Sequence, residues 1–201
     1  MVKMSYHKTN ITANPFDMPV VKKLIDKYLN RLNFRIVNEP RDGTIDIVDP
    51  FCNKQTIRRQ GTNLITNDLN PKFNATYNLE ANDFAELCLA KGYEFDLVLF
   101  DPPYSLRQLK EQYENIGYKL ELWQTQNKWG RARNALAKCV RSGGYAISFG
   151  WETSGFSPKR GFELQEILVL NQAGHADRYD LLIAVEKKIT TDLFKYISCY
   201  D

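Results

Sequence analysis

The chain has 201 residues, 43% of them hydrophobic and 25% charged, with a net charge of +3. That composition fits one globular domain with a full core over residues 1–201, and the charge permits a nucleic-acid partner without requiring one. No apolar stretch approaches membrane-spanning length and the basic, polar start Met1–Asn10 is not a signal peptide, so the expected location is cytoplasmic.

Asp17 to about Asn33 carries Val20, Val21, Leu24, Ile25, Tyr28, Leu29 and Leu32 at helical spacing, with Asp17 as a cap and Pro19 in the first turn. Thr44–Val48 is a short β-branched strand ending at Asp49, and Asn63–Thr66 is a second one ending at Asn67-Asp68. Thr76–Leu79 reads as a third, short strand, and Ala81–Lys91 as a helix stopped by Gly92. Asp96–Phe100 is a fourth strand, apolar enough to be buried on both faces. Ser105–Ile116 is a polar helix ending at Gly117, and Lys128–Val140 an amphipathic one ended by Ser142-Gly143-Gly144. Tyr145–Phe149 is a buried strand. Phe162–Leu170 and Tyr179–Glu186 read as an antiparallel hairpin joined by Asn171–Arg178. Alternating helix and strand predicts an α/β domain with a mostly parallel sheet.

Cys52, Cys88, Cys139 and Cys199 are scattered without metal-ligand or redox spacing, and His7 and His175 share no spacing with an acid or nucleophile. No metal is therefore expected. A zinc deaminase or hydrolase is disfavoured, since its metal site needs a His/Cys cluster.

The most informative stretch is Asp101-Pro102-Pro103-Tyr104, directly after the buried run Phe95–Phe100. A strand that ends in an acid, a rigid turn and an aromatic presents them at the carboxyl edge of a sheet, where open α/β folds bind ligands. Those groups suit methylation of an exocyclic amine on a flat base. The adenine amino lone pair is delocalised into the ring, and two acceptors for its hydrogens would free it. The Asp101 carboxylate is one, and the Pro102 carbonyl, aimed by a fixed φ, is the other. Pro103 restricts Pro102 further. Tyr104 offers a face for an extruded base, a contact of about 1–3 kcal/mol.

With this motif in place, the pattern from Asn14 to Glu186 resembles a class I S-adenosylmethionine-dependent methyltransferase. More narrowly, it is similar to the small adenine-specific DNA methyltransferases of phage and prophage type. The resemblance implies a Rossmann-like fold with helices on both faces of a seven-stranded, mostly parallel sheet and a C-terminal antiparallel hairpin. Ile47-Val48-Asp49-Pro50-Phe51 resembles the first cofactor motif, which implies S-adenosylmethionine contacts from Asp49, Pro50 and Phe51. Thr66-Asn67-Asp68-Leu69-Asn70-Pro71 resembles the second, whose acid holds both ribose hydroxyls. Asp68 fills that role, with Asn67 adjacent, because a carboxylate is acceptor-only and takes two O–H donors. Glu80-Ala81-Asn82-Asp83-Phe84 resembles the third, whose acid accepts from the cofactor's adenine amine. Glu80 matches best, beside Ala81, with Asp83 as the fallback. In the family, an acid opening the fourth motif goes mainly with adenine.

One departure stands out. The first motif usually carries glycines after the acid, but here Asp49-Pro50-Phe51-Cys52-Asn53-Lys54-Gln55 has none before Gly61. Asn53 adopts φ > 0 more readily than most residues, so the loop can still turn. Asn14-Pro15-Phe16-Asp17 matches the segment that closes over the cofactor's carboxylate in related enzymes.

The implied partner is DNA, in a bacterial or phage-infected cell. Candidate contacts are Arg107, Lys110, Lys119 and Lys128 within Ser105–Trp129, and Lys159-Arg160 in the loop Trp151–Gly161. Trp123, Trp129 and Trp151 are either stacking residues or core and lid. Without a separate recognition domain, sequence reading is expected to be short and weak unless a homodimer or partner chain helps. Two alternatives remain: a methyltransferase acting on RNA or a protein side chain, and a catalytically silent relative with the fold kept and the cofactor loop lost.

Overall fold

The structure, a computed structural model, describes residues 1–9, 14–36, 42–53, 59–120, 128–172 and 180–189. In chain order its elements are β1 (Lys3–Thr9), α1 (Pro19–Ile36), β2 (Ile45–Asp49), β3 (Thr62–Thr66), α2 (Ala81–Ala90), β4 (Phe95–Phe100), α3 (Leu106–Glu114), α4 (Gly130–Cys139), β5 (Val140–Gly150), β6 (Phe162–Gln172) and β7 (Leu181–Lys188). The strands form one seven-stranded sheet in the order β1-β6-β7-β5-β4-β2-β3. Every neighbouring pair is parallel except the two that involve β7. The predicted α/β class, mostly parallel sheet and C-terminal hairpin are all present.

Both faces of the sheet are covered over its centre, as an all-apolar strand such as β4 requires. On one face α1 lays down Val21, Leu24, Ile25, Tyr28, Leu29, Leu32 and Ile36, one stripe at helical spacing, against Ile47, Leu97, Leu99 and Ile147. On the other, α2 and α4 pack Phe84, Cys88, Ala132 and Leu136 against Val48, Val98 and Ala146. Burial of each large apolar side chain contributes roughly 1.5–3 kcal/mol, so α1 is held by packing rather than by propensity. At the amino edge, the fully buried Asp96 accepts from Arg35 (2.7 Å), Arg141 (3.1 Å) and the Asp46 amide (3.0 Å). Among the described residues, no helix is long and apolar enough to cross a membrane.

Three expectations are corrected. Thr76–Leu79 is not a strand: only a single bridge, Asn67 to Tyr77, forms there. The Asn67 side chain takes the place of a ladder, accepting from the Leu79 amide (3.0 Å) and donating to the Leu79 carbonyl (3.0 Å). The seventh strand is instead β1, from the amino-terminal stretch, whose mostly exposed residues show no buried face to betray it. Ser142-Gly143-Gly144 does not end the helix, which stops at Cys139. It forms an irregularity inside β5, where the pairing jumps from Phe95–Val140 to Leu97–Tyr145 and Gly143 takes φ +78°. Asp17 lies in a short 3-10 helix, Pro15–Asp17, just ahead of α1. His175, Trp123, Cys199 and the loop residues Lys54 and Gln55 lie outside the described residues.

Candidate active site

β2 has β3 on one side and β4 on the other, so the sheet order reverses at β2 and opens a crevice beyond the strands' carboxyl ends. The loops after β2, β3 and β4 meet there around a cavity of about 270 Å³, near the low end for small-molecule sites. The first loop supplies Pro50–Asn53, the second Asn67 and Asp68, the third Asp101, Pro103 and Tyr104. Phe16 from the amino-terminal segment, Tyr113 from α3 and Trp129 complete the wall.

Each of the three strands delivers an acid to this edge, and their surroundings differ. Asp49 is almost wholly buried and accepts from the Phe51 amide (3.0 Å); burial holds its carboxyl well above the usual range, with Asp101 and Asp68 adding like charge. Asp68 accepts from the Asn70 amide (2.8 Å) and the Asn53 amide (2.9 Å), and burial again raises it. Asp49 and Asp68 thus each close a turn with the amide two residues on. Asp101 cannot do so, because the residue two on is Pro103, which has no N–H. Among the described residues its donor is the Tyr104 hydroxyl. Burial pushes Asp101 up to about 7, against the lowering effect of that hydroxyl.

The turn runs straight into α3. Ser105 caps the helix by accepting from the Gln108 amide (3.1 Å), and the Gln108 side chain reaches back to accept from the Tyr104 amide (2.9 Å). The Tyr104 ring lies 6.3 Å from that of Trp151, tilted by 55°.

In the glycine-free first loop, Asn53 takes φ +48° and supplies the left-handed residue that a glycine would otherwise provide. The described amides of this loop bond within the protein: Phe51 to Asp49, Cys52 to the Asn67 carbonyl (3.0 Å) and Asn53 to Asp68. Phe51 presents a ring to the cavity, edge-on to Phe100 (5.2 Å) and to Trp129 (4.8 Å).

No protein-family model matches the sequence, and no curated protein does. Solved structures do. A SAM-dependent methyltransferase from Agrobacterium tumefaciens aligns with a TM-score of 0.51 at 11% identity, over 84% of this chain and 62% of that one. The candidate methylase HI0767 from Haemophilus influenzae also gives 0.51, at 12% identity, over 86% of this chain and 92% of that one. The fold is that of a SAM-dependent methyltransferase. TrmN from Thermus thermophilus aligns at 0.48 and 14% identity, over 80% of this chain. The chain spans 48% of TrmN and 62% of the A. tumefaciens protein.

Within this methyltransferase fold, Asp68, Asn67, Pro50, Phe51, Ala81, Asp101, Pro103 and Tyr104 come together at one cavity, and the buried Pro102 joins Asp101 to Pro103 at its edge. Asp49 lies beneath the first loop rather than on the wall. Glu80 does not face the cavity. Its carboxylate accepts from the Tyr113 hydroxyl and lies 3.3 Å from Lys128 Nζ. Asp83 is exposed on the outer face of α2, 3.8 Å from Arg131. Lys128 is mostly buried, with its ammonium over the Tyr113 and Trp129 rings, which removes it from the basic surface. Arg160 holds its own loop, donating to Asn134 (2.7 Å) and the Phe156 carbonyl (3.0 Å). Arg107, Lys159 and Trp151 are exposed, Arg107 beside Glu111 at 3.4 Å. Asn14, Pro15 and Phe16 line the cavity, whereas Asp17 turns outward to Lys22 (3.6 Å). Sequence reading missed Gln108 and Tyr113. The Ser105-x-x-Gln108 spacing is a capping-box signature and pointed to Gln108; nothing local marked Tyr113.

Proposed function

We propose that this chain methylates the exocyclic N6 of adenine in DNA, using S-adenosylmethionine. The observation that carries the reading is Asp101. A half-buried carboxylate that takes no backbone donor among the described residues stands beside the Tyr104 ring, on the wall of the cavity that also holds Asp68.

The residues fit the cofactor. Asp68 uses one lone pair on each oxygen for an amide, which leaves a second on each for the two ribose hydroxyls. Phe51 and Trp129 form an apolar wall suited to a flat adenine, and Asn14–Phe16 closes the side away from α2. Glu80, held by Tyr113 and Lys128, acts here by shaping the wall next to Leu79 and Ala81. S-adenosylmethionine, when bound, supplies a methyl group already activated on a sulfonium centre.

The chain's own residues orient the target. An adenine inside a duplex is out of reach, so the base is extruded and stacked on Tyr104, with Trp151 at the rim. Asp101 and the Pro102 carbonyl accept its amino hydrogens, and Asp101 receives the proton that the amine loses. Tyr104 and Trp129 keep water from the nitrogen. Arg107 and Lys159 contact phosphate, which sets register rather than sequence. This one domain then carries both sites, with recognition strengthened by a second copy or a partner chain.

The test is transfer of labelled methyl from S-adenosylmethionine to DNA, RNA and peptide, followed by mass spectrometry of digested nucleosides. N6-methyladenine in DNA, lost in Asp101→Ala with cofactor binding retained, is the expected result. Methylation confined to RNA or peptide overturns the DNA assignment. A second reading, a catalytically silent fold, draws on the internally bonded amides of Phe51, Cys52 and Asn53. Calorimetry that detects no S-adenosylmethionine binding would select it.

A further inference from the structure

The Asp101-Pro102-Pro103-Tyr104 turn is arranged to keep backbone N–H donors away from its own acceptors, leaving the Tyr104 hydroxyl as the described donor to Asp101. An acid at a strand end ordinarily captures a backbone N–H nearby, as Asp49 and Asp68 do at this same edge. Positions 102 and 103 are prolines and carry no N–H. The first backbone donor after Asp101 is therefore the Tyr104 amide. Left alone, it would turn toward the Asp101 carboxylate or the Pro102 carbonyl, the two acceptors that the amine needs. Instead it donates to Gln108 Oε1 at 2.9 Å. Gln108 is itself fixed, one turn into α3, by its own amide on Ser105 Oγ at 3.1 Å.

We propose that Gln108 is a positioning residue whose side-chain carbonyl sequesters the Tyr104 amide and so keeps Asp101 and the Pro102 carbonyl open for the target amine. The proposal rests on the N6-adenine reading of the site and adds a residue to it. The groups that act on Asp101 are the Tyr104 hydroxyl from its own turn and, by like charge, Asp49 at the end of β2; Asp68 lines the same cavity. Gln108 is uncharged, so its effect on Asp101 runs through the amide it holds. Misplacement of reacting groups by about 1 Å costs roughly a hundredfold in rate, and a captured acceptor falls in that class.

The experiment compares Gln108→Ala and Gln108→Glu with the parent chain by two readouts. One is kcat for methyl transfer to DNA. The other is the titration of the Asp101 carboxyl by carbon NMR, assigned with Asp101→Asn and measured without cofactor or DNA. Gln108→Ala frees the Tyr104 amide. Its kcat is expected to fall roughly ten- to a hundredfold, and the Asp101 midpoint to move down from about 7, because a new N–H stabilises the carboxylate. Gln108→Glu keeps an acceptor in place, so kcat returns to within a few-fold and the midpoint does not fall. A residue that merely caps α3 would lower melting temperature without moving the midpoint, and that result overturns the proposal. So does a Glu variant as impaired as the Ala variant with its midpoint lowered. If the parent chain methylates no adenine while the midpoint shifts as stated, the N6-adenine reading fails and the role of Gln108 in shielding Asp101 stands.

Discussion

The Tyr104 hydroxyl donates to the Asp101 carboxylate, so the ring on which a base would stack also fills the acceptor that the base would need. On the proposed reading, entry of the target exchanges one donor for another, and the two proposed functions of Tyr104 are separable by mutation. Tyr104→Phe keeps the face and removes the hydroxyl. Tyr104→Ala removes both and forfeits a stacking contact of about 1–3 kcal/mol, so KM for DNA is expected to rise roughly tenfold or more. Steady-state kinetics on the two variants, read against each other, checks the split. Equal KM values for Ala and Phe would remove the ring from base binding.

The acid limb of activity follows from the same contact. In the proposed reaction Asp101 must be a carboxylate to accept the amino hydrogens, and burial pushes it up to about 7. Because kcat/KM reports the free enzyme, it should climb as pH rises through about 7 and level off above it. The Tyr104 hydroxyl favours the ionised form, so Tyr104→Phe moves that limb to higher pH. A pH profile flat from 5 to about 9 would separate Asp101 from the reaction.

Asp101→Asn should lose activity yet gain stability at neutral pH. The folded chain holds Asp101 protonated up to about 7, whereas an unfolded aspartate ionises near 4. Between those values the folded state binds the extra proton, so its stability falls as pH rises through that window. Asparagine carries no such dependence. Its melting temperature is expected to exceed that of the parent by several degrees at pH 8 and by less at pH 5, measured by thermal unfolding at both.

Asn53 is where the first loop turns without glycine. At φ +48°, Asn53→Ala keeps a Cβ in the left-handed region but loses the short polar side chain that lets Asn tolerate it, so the expected cost is a fraction of the roughly 1–2 kcal/mol that this conformation costs an L-residue, and Asn53→Gly is expected to be neutral or better. Both keep the amide on Asp68. Denaturant titrations give the stabilities, and calorimetry with S-adenosylmethionine should find the Gly variant close to the parent chain.

Gly155 lets the loop beyond β5 pass against Glu186. The buried Glu186 carboxylate accepts from the Phe156 amide (2.6 Å) and the Ser157 amide (2.7 Å), and a Cβ on Gly155 would sit 2.0 Å from Glu186 Oε2. Gly155→Ala must push the carboxylate off those amides, a loss of roughly 1–3 kcal/mol that denaturant unfolding would detect.

The particular residues show how far local signals reach. The α1 stripe, the apolar run of β4 and the acid-proline turn after it were legible because each pattern depends on near neighbours in the chain. The pairing of Lys128 and Glu80 with Tyr113 and with each other was not legible, because those partners lie 15 to 48 positions away and no spacing encodes them. Lys3–Thr9 was missed as a strand because an edge strand with little burial owes its conformation to β6, not to its own alternation.

The sequence by itself determined the three acids at strand ends, the two prolines that deny Asp101 a backbone donor, and the Asn that turns the first loop, since each rests on what a residue type can and cannot bond. Only the tertiary structure decided which of those acids stay open. Packing fixes which amide meets which carboxylate: Asp49 and Asp68 are engaged by backbone, Glu80 is engaged by Tyr113 and Lys128, and among the described residues Asp101 is left to a single hydroxyl.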